Sequence, residues 1–305
     1  MTPRAWLLLG ICSALWGLPY LLIKVLVEDG VPAGVITFGR CAIGAAVLLP
    51  IAWRAGALAP LRGRWRAIAV LALLDMAAPF LMITVGERHI PSSLAGILVA
   101  SVPLLVALLA LRWDAEERVD RSRLVGLLIG MAGVALLLGV EVSGDVAALA
   151  GAGLVLAASA TYAGATLYLK RALGGLPALG IVTLTLTAAT LMLAPLALLQ
   201  AGGVPAARLD WLSSLAALGV LCSALAYLAF YALVALVGPG RASLNTYLSP
   251  AIAAAAGAVF LGESLGAGAV AGLLLILAGA YLSSGGRPPA PRPEPTAALS
   301  EGARA

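Results

Sequence analysis

The sequence predicts an all-α integral membrane protein with ten transmembrane helices, arranged as two inverted five-helix repeats. Hydrophobic residues make up 62% of the 305 residues and charged residues 11%, against about 45–50% and about 25% in soluble domains. Charge-free runs of roughly 20 residues recur along the chain, and each could cross the hydrocarbon core of a bilayer as a helix. Short motifs of the first half also recur in the second half. Together these observations predict a duplicated helical membrane bundle.

Hydropathy places the ten spans at about 5–26, 33–53, 67–86, 91–111, 122–140, 147–169, 178–200, 211–237, 242–262 and 266–284. The first apolar run has no A-x-A cleavage pattern and leads into further spans, so we interpret it as a helix rather than a signal peptide. The predicted repeats cover residues 5–140 and 147–285. Residues 286–305 are rich in proline and predict a disordered cytoplasmic tail.

The distribution of Lys and Arg predicts the orientation of the chain. All but four of its 19 basic residues lie in segments on the same side as the N-terminus. The exceptions are Lys24, Arg88 and Arg208 on the other side and Arg40 within a span. Because basic residues accumulate in cytoplasmic loops, both termini are predicted to be cytoplasmic. The net charge of +5 therefore indicates topology, and no nucleic-acid partner is expected.

The duplication is visible at matched positions. A Pro–Glu pair returns after 147 residues and a Gly–Gly pair after 146. The helical face formed by Ser13, Trp16, Tyr20 and Lys24 also returns after 146, as Ser159, Tyr162, Thr166 and Lys170. Five spans are an odd number, so the second repeat must cross the membrane upside down. This architecture is typical of secondary transporters, whose substrate site lies near the midplane between the halves. The two returning pairs are Pro103–Glu116 with Pro250–Glu263, and Gly126–Gly133 with Gly272–Gly279.

The order of these motifs resembles the EamA-type family of the drug/metabolite transporter superfamily. The resemblance covers nearly everything except the tail, and it implies a multi-pass protein of the bacterial inner membrane that exports amino acids or related metabolites. Two departures stand out: Tyr162–Ala163 replaces a Trp–Gly pair, and the second half has no counterpart of Arg40. The matching residues are Trp16–Gly17, Lys24, Pro32, Arg40, Pro103, Glu116 or Glu117, Gly126, Gly133, Lys170, Pro177, Tyr231, Pro250, Gly262–Glu263, Gly272 and Gly279.

Asp75 is the sharpest candidate for a functional residue. It lies nine residues after Arg66, roughly 13 Å into the membrane, where an ionised carboxylate is costly unless it is paired or solvated. It would either face a cavity and bind a proton or a substrate amine, or have a structural role. In the structural role it would form a buried pair with Arg40 or stay neutral because of desolvation. The position 147 residues later is Cys222, so the acid is not part of the duplicated scaffold. This difference favours a functional role.

Arg40 could bind a substrate carboxylate or serve a structural role, and both interpretations are left open. Trp16, Tyr20, Tyr162 and Tyr227 are candidates for cavity lining because their helical faces belong to the repeat. Polar groups in lipid are more often contacts between helices, and this is the competing interpretation for the candidates Tyr231, Asn245 and Ser249 and for the threonines of the seventh span.

Pro103 and Pro250 lie within predicted spans, where each could form a packing kink or a hinge for gating. Glu116 and Glu263 lie at span ends and are interpreted as structural caps.

Other functions find little support. The chain has one histidine and three separated cysteines, and neither a zinc-protease motif nor a P-loop occurs. No cofactor or metal is expected. A channel or a membrane enzyme with Asp75 as its polar centre remains the alternative, and ten spans argue against a heptahelical receptor. The expected partners are a small-molecule substrate and the lipid bilayer, with proton coupling and a homodimer left open.

Overall fold

A computed structural model describes residues 1–113, 121–141, 145–206, 208–242 and 244–283. Within these ranges every regular element is a helix. The α-helices, in chain order, are α1 (Pro3–Glu28), α2 (Ala33–Arg54), α3 (Trp65–Ala72), α4 (Ala78–Gly86), α5 (Ser92–Val99), α6 (Val102–Trp113), α7 (Arg121–Glu141), α8 (Val146–Ala172), α9 (Ala178–Gln200), α10 (Leu209–Gly219), α11 (Ala226–Val237), α12 (Pro239–Ala242), α13 (Asn245–Leu261) and α14 (Ala267–Ser283).

Among the described residues, seven helical segments are long and apolar enough to cross a membrane, and three shorter apolar helices lie at the other predicted spans. The prediction of an all-helical membrane protein is therefore confirmed, and the count of ten spans stays a prediction. The seven segments are Pro3–Glu28, Ala33–Arg54, Trp65–Gly86, Ser92–Leu109, Val146–Ala172, Ala178–Gly203 and Trp211–Val237; the shorter ones are Leu124–Gly139, Asn245–Leu261 and Ala267–Leu282. The predicted tail and Glu116 lie outside the described residues.

Large apolar side chains cover the outside of the bundle. Leu128, Leu191 and Val259 are 63%, 70% and 75% exposed, although each lies within an apolar helix. Several serine and threonine side chains are buried instead, and most of these donate to a carbonyl three to five residues earlier in the same helix. An apolar exterior of this extent is suited to lipid rather than water.

Helices from the two halves of the chain pack against each other. α2 packs on α9, α7 on α14, and α1 on α13 and α11, while α8 packs on α4, α5 and α6. Helices of the two halves are therefore interleaved around the interior of the bundle.

Glycines allow the close approach of α7 and α14. A Cβ atom built on Gly133 would lie 2.9 Å from the carbonyl oxygen of Gly272, and one built on Gly279 would meet the backbone of Gly126 and Gly130. The glycine pairs that recur in the sequence thus face each other where these two helices cross. Small residues at such crossings let helix backbones pack tightly in a membrane.

Two predicted spans contain a π-helical turn. Leu73–Ala77 separates α3 from α4, and Val220–Leu225 separates α10 from α11. The second turn begins 147 residues after the first, which is the offset of the two Pro–Glu pairs. A π-turn inserts one extra residue into a helix and often marks a functional site.

The predicted fourth span is interrupted at Ala100 and Ser101, between α5 and α6. Pro103 occupies the second position of α6 rather than a helix interior. Its assignment as a packing kink or a hinge for gating stays a prediction. Pro250 lies inside the continuous helix α13, as expected.

Candidate functional site

A cavity of about 380 Å³ lies between the walls of the bundle. It is lined by α1, α2, α4, α5, α6, α8, α11 and α13 and by both π-helical turns. Of the predicted site residues, the structure brings together Trp16, Tyr20, Arg40, Asp75, Tyr162, Tyr227, Asn245, Ser249 and Pro250 at this cavity; Tyr231 and Pro103 are not among its lining residues.

Asp75 is the acidic residue of this lining, and it lies in the first π-helical turn. Its side chain is partly exposed to the cavity. Among the described residues, none donates a hydrogen bond to its carboxylate or forms an ion pair with it. The second π-helical turn contributes Cys222 to the same cavity, at the position 147 residues later.

Arg40 is 7% exposed and is held by two contacts, neither of which is with Asp75. Its Nε donates to the Ser223 hydroxyl at 3.1 Å. Its guanidinium carbon lies 3.8 Å from the ring centre of Phe80, a geometry that attracts a cation to an aromatic face. The structural pair between Arg40 and Asp75 considered above is therefore not formed. Both charged groups border the cavity with hydrogen-bonding capacity left for a ligand.

Four aromatic rings cluster between α1 and α11. Trp16 lies 5.5 Å from Tyr227 and 4.9 Å from Phe230, measured between ring centres, and Tyr231 lies 6.2 Å from Tyr227. Trp16, Tyr227 and Phe230 line the cavity. The Tyr231 hydroxyl instead donates to the carbonyl of Ala178 at 3.1 Å, so this tyrosine joins α11 to α9 behind the cavity wall.

The first turns of α13 supply polar backbone and side-chain groups. Ser249 donates to the carbonyl of Asn245 at 2.9 Å, and its hydroxyl lies 3.2 Å from the Asn245 side-chain oxygen. Pro250 has no N–H, so the carbonyl of Thr246 receives no helical hydrogen bond from it. Thr246 and Pro250 both line the cavity, which leaves that carbonyl as a further acceptor for a polar ligand.

The threonines of α9 do not line the cavity. Thr183, Thr187 and Thr190 each donate to the carbonyl four residues earlier at 2.7–2.8 Å. These bonds stay within the helix, in agreement with a structural role for this face.

Hydrogen bonds join the helices at the end of the bundle that contains Lys24, which we call the Lys24 end. The Lys24 ammonium donates to the backbone carbonyls of Glu87 and Ile90 at 2.9 and 3.2 Å. The Glu263 carboxylate accepts from the backbone N–H groups of Ser92 and Ser93 at 2.7 and 2.8 Å. Glu263 is therefore a cap, as predicted, but it caps α5 rather than its own helix.

The cavity is closed at the Lys24 end and reaches the surface at the other end. Toward Lys24 its lining finishes with Ile23 and Ile83, which are 2% and 4% exposed. At the opposite end the lining includes Thr166 and Leu169, which are both exposed. We call this opening the Thr166 end.

Phe80, Phe230 and Thr246 line the cavity without having been singled out in the sequence. Each is an apolar or weakly polar residue inside an apolar span. For this reason hydropathy does not distinguish them from the neighbouring residues of the span.

Comparison with known proteins gives a consistent picture. The model of the EamA-like transporter family matches the chain twice, at residues 4–139 and 149–285. The chain is 27% identical over 282 residues to an uncharacterized transporter, YvbV, of Bacillus subtilis, covering 90% of this chain and 89% of that one. It is 30% identical over 258 residues to an uncharacterized inner membrane transporter, YedA, of Escherichia coli K12, covering 82% and 81%.

A third relative is named as a probable terminal-alkyne amino-acid exporter of Streptantibioticus cattleyicolor. It is 28% identical over 258 residues, covering 83% of this chain and 84% of its own. One solved crystal structure matches with a TM-score of 0.64 at 20% identity, covering 93% of this chain and 97% of that chain, and this likeness concerns the fold. The resemblance found in the sequence motifs is confirmed, and the transporter interpretation prevails over the enzyme and receptor alternatives: the chain belongs to the EamA-like transporter family.

Proposed function

We propose that this transporter exports small zwitterionic metabolites, amino acids or close relatives, across the inner membrane by alternating access. The observation that carries this proposal is the cavity in which Arg40 and Asp75 face the same space without pairing with each other. A guanidinium complements a carboxylate, and a carboxylate complements an ammonium group. The aromatic and aliphatic lining around them is suited to an apolar side chain.

The proposed architecture is two inverted repeats of five spans, approximately 5–140 and 147–285. The double match to the family model, the π-helical turns 147 residues apart and the glycines at the α7–α14 crossing support it. In this arrangement α1 with α13 corresponds to α8 with α5 and α6. Halves that can exchange conformations would open the cavity to one side and then to the other.

The proposed orientation places both termini in the cytoplasm and the Lys24 end outside. The excess of Lys and Arg on the side of the N-terminus supports it. With this orientation the structure represents an inward-open state, because the cavity reaches the surface at the Thr166 end. A cavity that ends beneath Lys24 favours a transporter over a channel with a continuous pore.

We further propose that Asp75 couples export to a proton. Its carboxylate faces the cavity and no described residue neutralises it, so it could bind a proton on one side of the membrane and release it on the other. Substrate ammonium and proton would then compete for the same group, which is a simple route to exchange of one for the other.

The test is counterflow in proteoliposomes loaded with unlabelled amino acid, using labelled apolar amino acids outside. We expect saturable uptake that is lost in Arg40→Gln. Analogues that lack the carboxylate should move poorly in the wild-type protein. If no amino acid on a broad panel is exchanged faster than in empty liposomes, this proposal is wrong.

A further inference from the structure

Glu87 is a buried acid that the proposed transport cycle does not use. It directly follows α4 at the Lys24 end, and its side chain has no exposed surface. Neither carboxyl oxygen has a hydrogen-bond partner among the described residues. An ionised carboxylate without partners is strongly disfavoured in such a place, whereas a protonated one is neutral.

No charged group among the described residues forms an ion pair with the Glu87 carboxyl. Lys24 uses its ammonium group on the Glu87 backbone carbonyl and on Ile90, and it lies 3.8 Å from the exposed carboxylate of Glu28. Glu263, after α13, carries a second negative charge at the same end. The remaining titratable neighbours are Tyr20 of α1, Arg40 of α2 and the exposed side chains of Arg88 and His89.

The two acids of the Lys24 end have opposite surroundings. Burial raises the pKa of the Glu87 carboxyl well above its ordinary value, although the Lys24 ammonium opposes this, and the charge of Glu263 raises it further. Burial would also raise the pKa of Glu263, but its hydrogen bonds from Ser93 and Ser92 outweigh that effect and hold it below the ordinary value. These surroundings favour the protonated form of Glu87 and the ionised form of Glu263.

We infer that Glu87 is the proton-binding site of a gate at the Lys24 end. The closed gate holds a proton on the Glu87 carboxyl. When α4 and α5 separate from α1 and α13, the carboxyl meets water, ionises and releases that proton to the solution at the Lys24 end. This inference rests on the proposed function in one respect, namely that the Lys24 end opens during the cycle.

The sign of the pH effect follows from the two states. The carboxyl has a raised pKa when the gate is closed and an ordinary one when the gate is open. Closing is therefore favoured fully below the open-state pKa, and this advantage is lost as the pH rises toward the closed-state pKa. Between the two values the ratio of open to closed gates increases by up to about tenfold per pH unit.

Cys222 provides a native reporter of the open gate. It is a lining residue of the cavity, whereas Cys12 and Cys41 are not, and all three thiols are buried in this state. In a Cys12→Ala, Cys41→Ala protein, a membrane-impermeant maleimide added from the Lys24 side labels Cys222 only when the gate is open. The same reagent added from the Thr166 side reports the opposite state. No substrate is needed for either measurement.

The decisive comparison is Glu87→Gln, which resembles the protonated carboxyl and cannot ionise. We expect labelling from the Lys24 side to be slow in this variant at every pH. The ratio of the wild-type rate to the variant rate should rise from about pH 5 to about pH 9. Because the ionisation of the thiol changes both labelling rates alike, the ratio taken at each pH cancels this effect. The matched control is Glu28→Gln, an exposed acid at the same end, which should keep the wild-type profile.

The inference is overturned if the ratio is constant with pH, or if Glu28→Gln loses the dependence as Glu87→Gln does. Should Glu87→Gln fail to reach the membrane, wild-type labelling from the Thr166 side decides. That rate should fall as the pH rises, although a thiol by itself reacts faster with maleimide at higher pH. A rate that rises with pH overturns the inference. Amino-acid counterflow separates the two proposals. If amino acids are exchanged but the labelling of Cys222 does not depend on pH, only the gate is refuted. If the labelling depends on pH but no amino acid is exchanged, only the proposed substrate is refuted.

Discussion

Replacing Phe80 with Leu tests how the cavity recognises a carboxylate. The Phe80 ring lies 3.8 Å from the guanidinium carbon of Arg40, and Arg40 is 7% exposed. A desolvated contact of a cation with an aromatic face is worth about 2 kcal/mol. Leucine keeps an apolar wall but removes this attraction, while the bond from Arg40 to Ser223 remains. Arg40 should stay in the cavity with a less fixed guanidinium.

We expect the affinity for amino acids to fall by up to about thirty-fold in Phe80→Leu, because each 1.4 kcal/mol is about a factor of ten in a dissociation constant. The assay is the concentration dependence of counterflow. Arg40→Gln serves as the reference for complete loss of carboxylate binding. An amino amide, which lacks the carboxylate, should be affected much less. The matched control is Ile83→Leu, which exchanges one aliphatic side chain for another in the same lining.

Two results would refute this reasoning. Unchanged affinity in Phe80→Leu would mean that Ser223 alone fixes Arg40. An equal loss for the amino acid and the amide would mean that Phe80 contacts the apolar part of the substrate instead. Either result would remove Phe80 from carboxylate recognition.

Three further predictions concern coupling, packing and topology. Asp75→Asn should keep counterflow but lose uphill transport driven by a pH gradient; concentration of substrate by this variant would place coupling elsewhere. Gly133→Ala should lower the melting temperature, because the added Cβ would lie 2.8–2.9 Å from atoms of α14. Gly139→Ala, where a Cβ would have nothing within 4 Å, should be neutral or stabilising. Equal melting temperatures of the two variants would contradict this. Lys24 should react with an impermeant amine reagent only from outside and Lys170 only from inside, and labelling of both from one side would exclude the inverted repeat.

The depth of a charged residue in a span was enough to predict part of the site. Asp75 and Arg40 stand out because charge within the membrane is costly, and both line the cavity. The shared helical face of Trp16 and Tyr20 was also informative, since a repeated polar or aromatic face has a reason to point inward. The apolar side chains that face lipid could be predicted from hydropathy alone.

Other features depend on tertiary structure and leave little trace in the sequence. The π-helical turn at Leu73–Ala77 is built from ordinary helix-forming residues. Glu87 lies between Gly86 and Arg88 in a short charged connection, a pattern that indicates solvent exposure, yet the loop packs under Lys24 and buries it. Phe80 is one apolar residue among many in its span, and only the position of Arg40 gives it a distinct role.

The proposed duplication separates the features that both halves share from those found in one half only. In the proposed repeats the scaffold is shared, because both halves contain a π-helical turn at the same place. Three charges of the first half are not shared. Positions 147 residues after Arg40, Asp75 and Glu87 hold Thr187, Cys222 and Val234. A fully symmetric pair of repeats would have equal energies when open to either side. With Glu87 in one half only, the proposed gate at the Lys24 end would respond to pH while its counterpart at the Thr166 end would not. The gradients of substrate and proton would still set the direction of net transport, and the asymmetry would change only the populations of the two open states.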